Sequence, residues 1–271
     1  MPKPNYKQSA RDHLANAKKH LETEGEPHAR YACLELRMCI EALTYLNLEA
    51  YLHEVPNTVM KKWTPKQVID ELLAVDPHAD QSAHISVGIE DTPGVPSKNM
   101  RYLGQDKRLS IKWANGAHNA LSNFLHEPTI SSYELGQVKQ EHEMRTKANE
   151  FIEKLDTVAS SPLWGSNFGM FTTFSCKCGF SIKRKTDFLT PGAIVACGDR
   201  NCGRQYVYTS DPDGSVRFVP DRSTYTCENC KQPQSVDSHE LKKLPVLTCS
   251  CGAKAQVTTA YELTKISQPS G

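Results

Sequence analysis

The chain has 271 residues, 38% of them hydrophobic and 23% charged, with 32 Lys/Arg against 31 Asp/Glu. Such a composition excludes a largely disordered chain, and the length suits one large or two ordinary domains. The start, MPKPNYKQSARDHLANAKKH, lacks the apolar run of a signal peptide, and no stretch of about 18 apolar residues could span a bilayer. The expectation is a cytoplasmic protein without membrane contact. In a reducing compartment its clustered cysteines should hold metal rather than disulfides.

Up to about Ser160 the sequence reads as helices. Residues 6–24 form a short charged helix, and residues 27–54 a long central one with proline near its first turn. Ala29, Cys33, Leu36, Ile40 and Leu43 make one apolar stripe of that helix; Tyr31, Leu34, Met38, Tyr45 and Leu52 make a second, and together they predict a broad buried face. Cys33 and Cys39 fit that face as small apolar residues. Thr64-Pro65 opens a third helix over PKQVIDELLAV. Residues 76–107 interrupt the pattern with prolines and glycine, apart from the alternating run HISVGIE, a candidate strand. Helical periodicity returns in RLSIKWANGAHNALSNFLHE and again over about 136–158. Four main helices with short returns are the ingredients of a bundle.

Beyond a boundary near 160–168 the pattern changes to short strands, turns and cysteines. FTTFS and AQVTTAYEL read as strands, and RQYVYTSDPDGSVRFV as a hairpin around Asp211–Gly214. Cys176-x-Cys178, eighteen residues and Cys197-x4-Cys202 form one set; Cys227-x2-Cys230, eighteen residues and Cys249-x-Cys251 form another. The repeated inner gap predicts a tandem repeat of one small unit. Each unit supplies four thiolates, the complement of a tetrahedral structural Zn²⁺, and glycine follows Cys178, Cys197, Cys202 and Cys251 where a knuckle requires positive φ. The residues resemble a pair of zinc ribbons over about 170–263, with two structural Zn²⁺ ions. Spacing leaves open an interleaved pairing in which each metal takes a cysteine pair from both units. Four cysteinates leave no open position on the metal, so no catalytic role is assigned to it.

Residues 161–271 carry thirteen Lys/Arg against nine Asp/Glu. Two Zn(Cys)₄ centres contribute about −2 each, bringing the unit near neutrality. Local cations remain: Lys183, Arg184 and Lys185 near Phe180 and Phe188, Arg200 and Arg204 beside Tyr206 and Tyr208, and Lys242-Lys243. Cations beside exposed aromatics would track phosphates and stack bases; packing of the same aromatics into a thin β core is the plainer alternative, and docking on a protein partner a third.

The four-helix pattern, with ARYACLELRMCIEAL and WANGAHNALSNFLHE, resembles the HEPN superfamily of compact helical bundles, which includes RNA-cleaving toxins, antiviral effectors and non-catalytic nucleotide-binding or dimerisation modules. In the nuclease branch an arginine four to six residues ahead of a histidine acts at a dimer interface. Here His118 occupies the histidine position and Lys112 the position six before it, while Arg37 on the long helix is a second candidate for the cation. Arginine can neutralise a phosphorane-like transition state, and histidine can move a proton. Packed-core roles for His118, an Arg37/Glu41 surface pair and a helix-capping role for His126 stand beside that reading. The sequence thus predicts an α+β protein in separate domains: an HEPN-like helical bundle over 1–160 and a small β-rich zinc-ribbon pair over 168–265. It is expected to act as a recognition protein, the ribbons docking on nucleic acid (RNA or DNA) or a protein partner and the bundle forming a homodimer. The alternative is a metal-independent endoribonuclease of the toxin or phage-defence kind.

Overall fold

The computed structural model describes all residues except 1–3, 56–58, 60, 63, 91, 93–94, 96, 137–139, 200, 212–214, 242–245 and 259–271. Two compact units emerge: residues 1–171 with 183–188, and residues 172–182 with 189–271. Helices fill the first and small antiparallel strands the second, an α+β arrangement.

In the first unit the main helices are α1 (Tyr6–Leu21), α2 (Glu26–Glu49), α3 (Pro65–Val75), α4 (Ile111–Leu125) and α6 (Glu141–Ala159), with a short α5 (Ile130–Glu134) that periodicity could not reveal in five residues. Local chemistry sets their starts. Asn5 accepts from the Gln8 amide at 3.0 Å, Ser110 from the Trp113 amide at 3.4 Å, and Gln140 and Glu143 form a reciprocal capping box. Between α1 and α2, Gly25 takes φ +108°, and α6 clamps the turn: Glu141 accepts from the Gly25 amide and Arg145 donates to the Leu21 and Thr23 carbonyls.

Helix α2 packs against α1, α3, α4 and α6. Ala29, Cys33, Leu36, Ile40 and Leu43 are buried as predicted, and Cys39 with them. Of the second predicted stripe, Tyr45 and Leu52 are partly buried against a second apolar cluster, while Tyr31, Leu34 and Met38 are corrected to exposed, because they lie beyond the arc that the four neighbouring helices cover. Burial pushes the Cys33 and Cys39 thiols up to about 12, so both behave as apolar side chains. The run HISVGIE contributes β1 (Ala83–Val87), which pairs antiparallel with β2 (Arg101–Asp106), a strand within the interruption that has no strand pattern of its own. Among the described residues no helix is long and apolar enough to cross a membrane.

The second unit is built from hairpins. Strands β3 (Phe171–Ser175) and β4 (Ser181–Lys185) pair, their outer residues counting with the first unit. β5 (Ile194–Ala196), β6 (Gln205–Ser210) and β7 (Val216–Pro220) form a three-stranded sheet. β8 (Arg222–Thr226) pairs with β9 (Pro233–Asp237), and β10 (Val246–Thr248) with β11 (Lys254–Gln256), a one-turn helix α7 (Ser238–Leu241) following β9. The hairpin expected around Asp211–Gly214 is β6–β7, whose 212–214 tip lies outside the described residues, as does most of AQVTTAYEL.

Candidate metal centres

Every cysteine pair of the second unit sits at a hairpin tip. Ala196 pairs with Gln205 around the Cys197–Cys202 loop, Thr226 with Pro233 around Cys227–Cys230, and Thr248 with Lys254 around Cys249–Cys251. Cys176–Cys178 lies between β3 and β4. The two Cys-x-Cys-Gly tips share one turn. Gly179 donates to the Cys176 carbonyl at 2.8 Å and Gly252 to the Cys249 carbonyl at 2.9 Å, and both glycines take φ +87°. A left-handed residue lets the chain reverse within three residues, so one intervening residue suffices where ribbons ordinarily use two. Gly203 is left-handed as well, and in the Cys227–Cys230 tip the role passes to Lys231, φ +58°.

These tips gather two groups, Cys176/Cys178/Cys197/Cys202 and Cys227/Cys230/Cys249/Cys251, with the sulfurs of each group within 4.8 Å of one another. The grouping is local, not interleaved. All eight thiols are free, and the closest sulfur pairs are 3.7–3.8 Å apart. A disulfide needs about 2.0 Å. A regular tetrahedron with Zn–S bonds of about 2.3 Å has edges of about 3.8 Å, so both groups fit a divalent ion of that size. Zn²⁺ matches the soft, fourfold sulfur set.

Electrostatics point the same way. Burial raises the Cys176 thiol, but the Cys178 backbone N–H and the Tyr206 hydroxyl, which donates to its sulfur at 3.2 Å, outweigh that and bring it down to about 6. Its negative charge then adds to burial in raising Cys197 and Cys202. In the second group the Ala253 backbone N–H and the Asn229 amide bring Cys251 to about 6; Cys230, despite the Gln232 N–H, is held up at about 11 by burial and neighbouring thiols. The first cluster thus holds the Cys176 thiolate readily while Cys197 and Cys202 resist ionisation; in the second, Cys227 is lowered along with Cys251 and Cys230 resists, and a bound dication removes that resistance. Tyr206 and Asn229 are sulfur partners that cysteine spacing alone could not identify.

No family model, curated protein or solved structure matches the chain.

The sequence-predicted cations occupy defined places. Lys183 pairs with Glu54 at 3.2 Å and Lys185 with buried Asp76 at 2.9 Å, both within the first unit, while Arg184 donates to the Lys183 carbonyl. Arg204 donates to Asp237 at 2.6 Å, and Arg222 reaches the other oxygen of the same carboxylate at 3.1 Å. This carboxylate bridges the first cysteine group's flank to the strand that opens the second. Arg200 lies outside the described residues. Of the two readings of Tyr206 and Tyr208 the packed one holds: both are buried and pack with Phe174 and Phe218, whose rings stack at 4.0 Å.

In the helical unit, α2 and α4 bring Arg37, Glu41 and His118 together. Arg37 Nε lies 3.0 Å and Glu41 Oε1 2.9 Å from His118 Nε2, and the two partners are 3.3 Å from each other. One ring nitrogen can accept from Arg37 or donate to Glu41, never both, so its proton decides which partner it takes. His118 is buried, Arg37 and Glu41 about three-quarters so. Lys112, the second residue of α4, is exposed and is not part of this cluster. His126 forms the C-terminal cap position of α4.

Proposed function

We propose that this is a zinc-dependent recognition protein whose ribbon unit docks on a partner protein and whose HEPN-like bundle forms a homodimer, in a reducing compartment such as the cytoplasm. The observation that carries the docking reading is the outer face of the three-stranded sheet. Ile194 stands opposite Val207, and Val207 opposite Val219, so the three share one face. Val195, Tyr206 and Tyr208 fill the core from the other, whereas Ile194 and Val219 are about half exposed. An outward apolar row on a sheet this small is a contact surface in waiting. The ion pairs of Lys183 with Glu54 and of Arg204 with Asp237 argue against a phosphate-tracking patch. Binding of RNA and DNA oligonucleotides to the zinc-loaded chain tests this: weak binding is expected, and tight binding with a steep salt dependence would transfer the docking to nucleic acid. For the dimer, Tyr31, Leu34 and Met38 are exposed apolar side chains of α2. Light scattering should give a dimer for the parent and a monomer for Met38→Asp.

A second reading has one observation in its favour, the approach of Arg37 to His118. As a metal-independent endoribonuclease of the toxin or phage-defence kind, the chain would use His118 to move a proton and Arg37, with Lys112 six residues before His118 on α4, to offset phosphate charge. Incubation of the pure protein with total RNA without added divalent cations decides it: cleavage that disappears in His118→Ala establishes the enzyme.

A further inference from the structure

A cleft of about 500 Å³ opens in the helical unit, lined by none of the Arg37, Glu41 and His118 side chains. Ala83, His84, Ile85, Ser86 and Val87, the whole of β1, line it in unbroken succession. Side chains of a strand alternate between its faces, so a cavity lying on one face would meet every second residue. Five in a row mean that the cleft runs along the edge of the strand. That edge is open: β1 pairs with β2 on one side only, and among the described residues no strand pairs with the other. Alternate N–H and C=O groups of β1 therefore point into the cleft.

Exposed edges are ordinarily blunted by charged residues or proline, because an unpaired ladder captures other strands. The sequence AHISV has neither. Around the edge the cleft is lined by two different kinds of side chain. One is Lys185, which spends one of its three N–H donors on Asp76 at 2.9 Å and holds its ammonium 5.5 Å from the Phe188 ring. Asp76 is itself satisfied by the Tyr51 hydroxyl at 2.8 Å and the His78 amide at 3.0 Å, so the lysine is fixed in place. The other is Phe168, apolar and two-thirds exposed. Beyond it a second cleft of about 370 Å³, walled by Leu103, Leu163 and Trp164, shares Ile85 and Phe168 with the first.

The geometry points to β1 as a docking edge for an extended segment of a partner protein, one that adds an antiparallel or parallel strand and alternates acidic with apolar side chains. Main-chain hydrogen bonds to the free edge would supply affinity, as in other strand additions. Successive side chains of the added strand turn to opposite sides: a carboxylate on one side reaches the spare donors of Lys185, and the next, aliphatic or aromatic, enters the apolar cleft beside Phe168. At about 3.3 Å per residue, β1 accommodates roughly five residues of partner. This surface is independent of the ribbon face proposed above, so either can fail alone.

A random heptapeptide library displayed on phage, selected against the immobilised full-length zinc-loaded chain, tests the proposal. Enriched peptides should alternate Asp or Glu with apolar residues. Fluorescence polarisation with one of them should show at least tenfold weaker binding to Phe168→Ala and to Ser86→Pro, each checked for unchanged zinc content and melting temperature. Because Ser86→Pro could disturb the hairpin, peptides N-methylated at single amides provide the same test on the parent protein: methylation at alternate positions should abolish binding, and at the intervening ones leave it intact. Failure to enrich any peptide would overturn the proposal. So would binding indifferent to Phe168→Ala and to N-methylation in either register.

Discussion

The two units reach stability by different routes. In the helical unit a continuous core runs from Leu14 through Leu36, Ile40, Leu121 and Leu155, made by helices that each present an apolar stripe. In the ribbon unit the buried cluster is Cys176, Ile182, Val195, Cys197 and Tyr206, so two of its five members are metal-site sulfurs. The second cysteine group has still less beneath it: β10 and β11 bury no residue, and along β8 and β9 only Asp237 is buried. A core too small to offset chain entropy needs a cross-link, which a metal held by the four cysteines of each group would provide.

The sharpest way to break that comparison is to remove the metal. Structural zinc contributes on the order of 10 kcal/mol to folding of such units. Chelation should therefore unfold the ribbons, the second group first, and leave the helical far-ultraviolet signal nearly unchanged. Elemental analysis should give two zinc ions per parent chain and one for Cys230→Ser. Acidification acts in the same direction, because protons compete with the ion for thiolate: with Cys176 and Cys251 near 6 and Cys197, Cys202 and Cys230 above the ordinary range, affinity should fall as pH falls. A melt in which helices and ribbons unfold together would show that the two routes are not separate.

Much of this contrast was legible in the sequence, and the reasons differ by region. The cysteine sets could be read because ligands of one ion must be close in space and, in a hairpin tip, close in sequence. Helices α3 and α4 could be read because capping residues and 3.6-residue periodicity are local. What escaped depends on neighbours. The exposure of Tyr31, Leu34 and Met38 follows from where α1, α3, α4 and α6 happen to lie, and a hydrophobic stripe does not state what covers it. Strand β2 contains glycine and two charged residues and has no alternation of its own; β1 opposite it supplies the pattern. The basic run Lys183–Lys185 looked like an anion site because Glu54 and Asp76, more than a hundred residues earlier, were not yet beside it.

A smaller effect comes from Asp76, a charge that the helical core does bury. Burial raises its carboxyl, but the His78 amide, Lys185 and Tyr51 outweigh that and hold it below the usual carboxylate range. A group depressed in the folded state stabilises fully above its unfolded pKa, about 3.9, and loses that contribution as pH falls through the lower folded value. The helical unit should therefore hold its Tm down to about pH 4 and lose it below. Asp76→Ala leaves Lys185 and Tyr51 without their partner and should cost about 3–5 kcal/mol at neutral pH, a drop in Tm on the order of 10 °C. A variant that melts with the parent would show that the pair contributes nothing net.

The smallest effect separates structure from chemistry at His118. Truncation to alanine removes an imidazole that α4 places against α2, yet Arg37 and Glu41 remain 3.3 Å apart and can pair with each other. The loss is therefore one buried hydrogen bond and a cavity, roughly 1–3 kcal/mol and several degrees in Tm, and it should be confined to the helical unit while zinc content stays at two. A catalytic histidine would behave in the opposite way. Being replaceable without loss of packing, it would leave Tm near the parent value and lower RNA cleavage by about 10²-fold or more. The burial of His118 and its two charged neighbours favour the first outcome. Calorimetry and a cleavage assay on the same His118→Ala preparation distinguish the two, because each account requires one quantity to move and the other to stay.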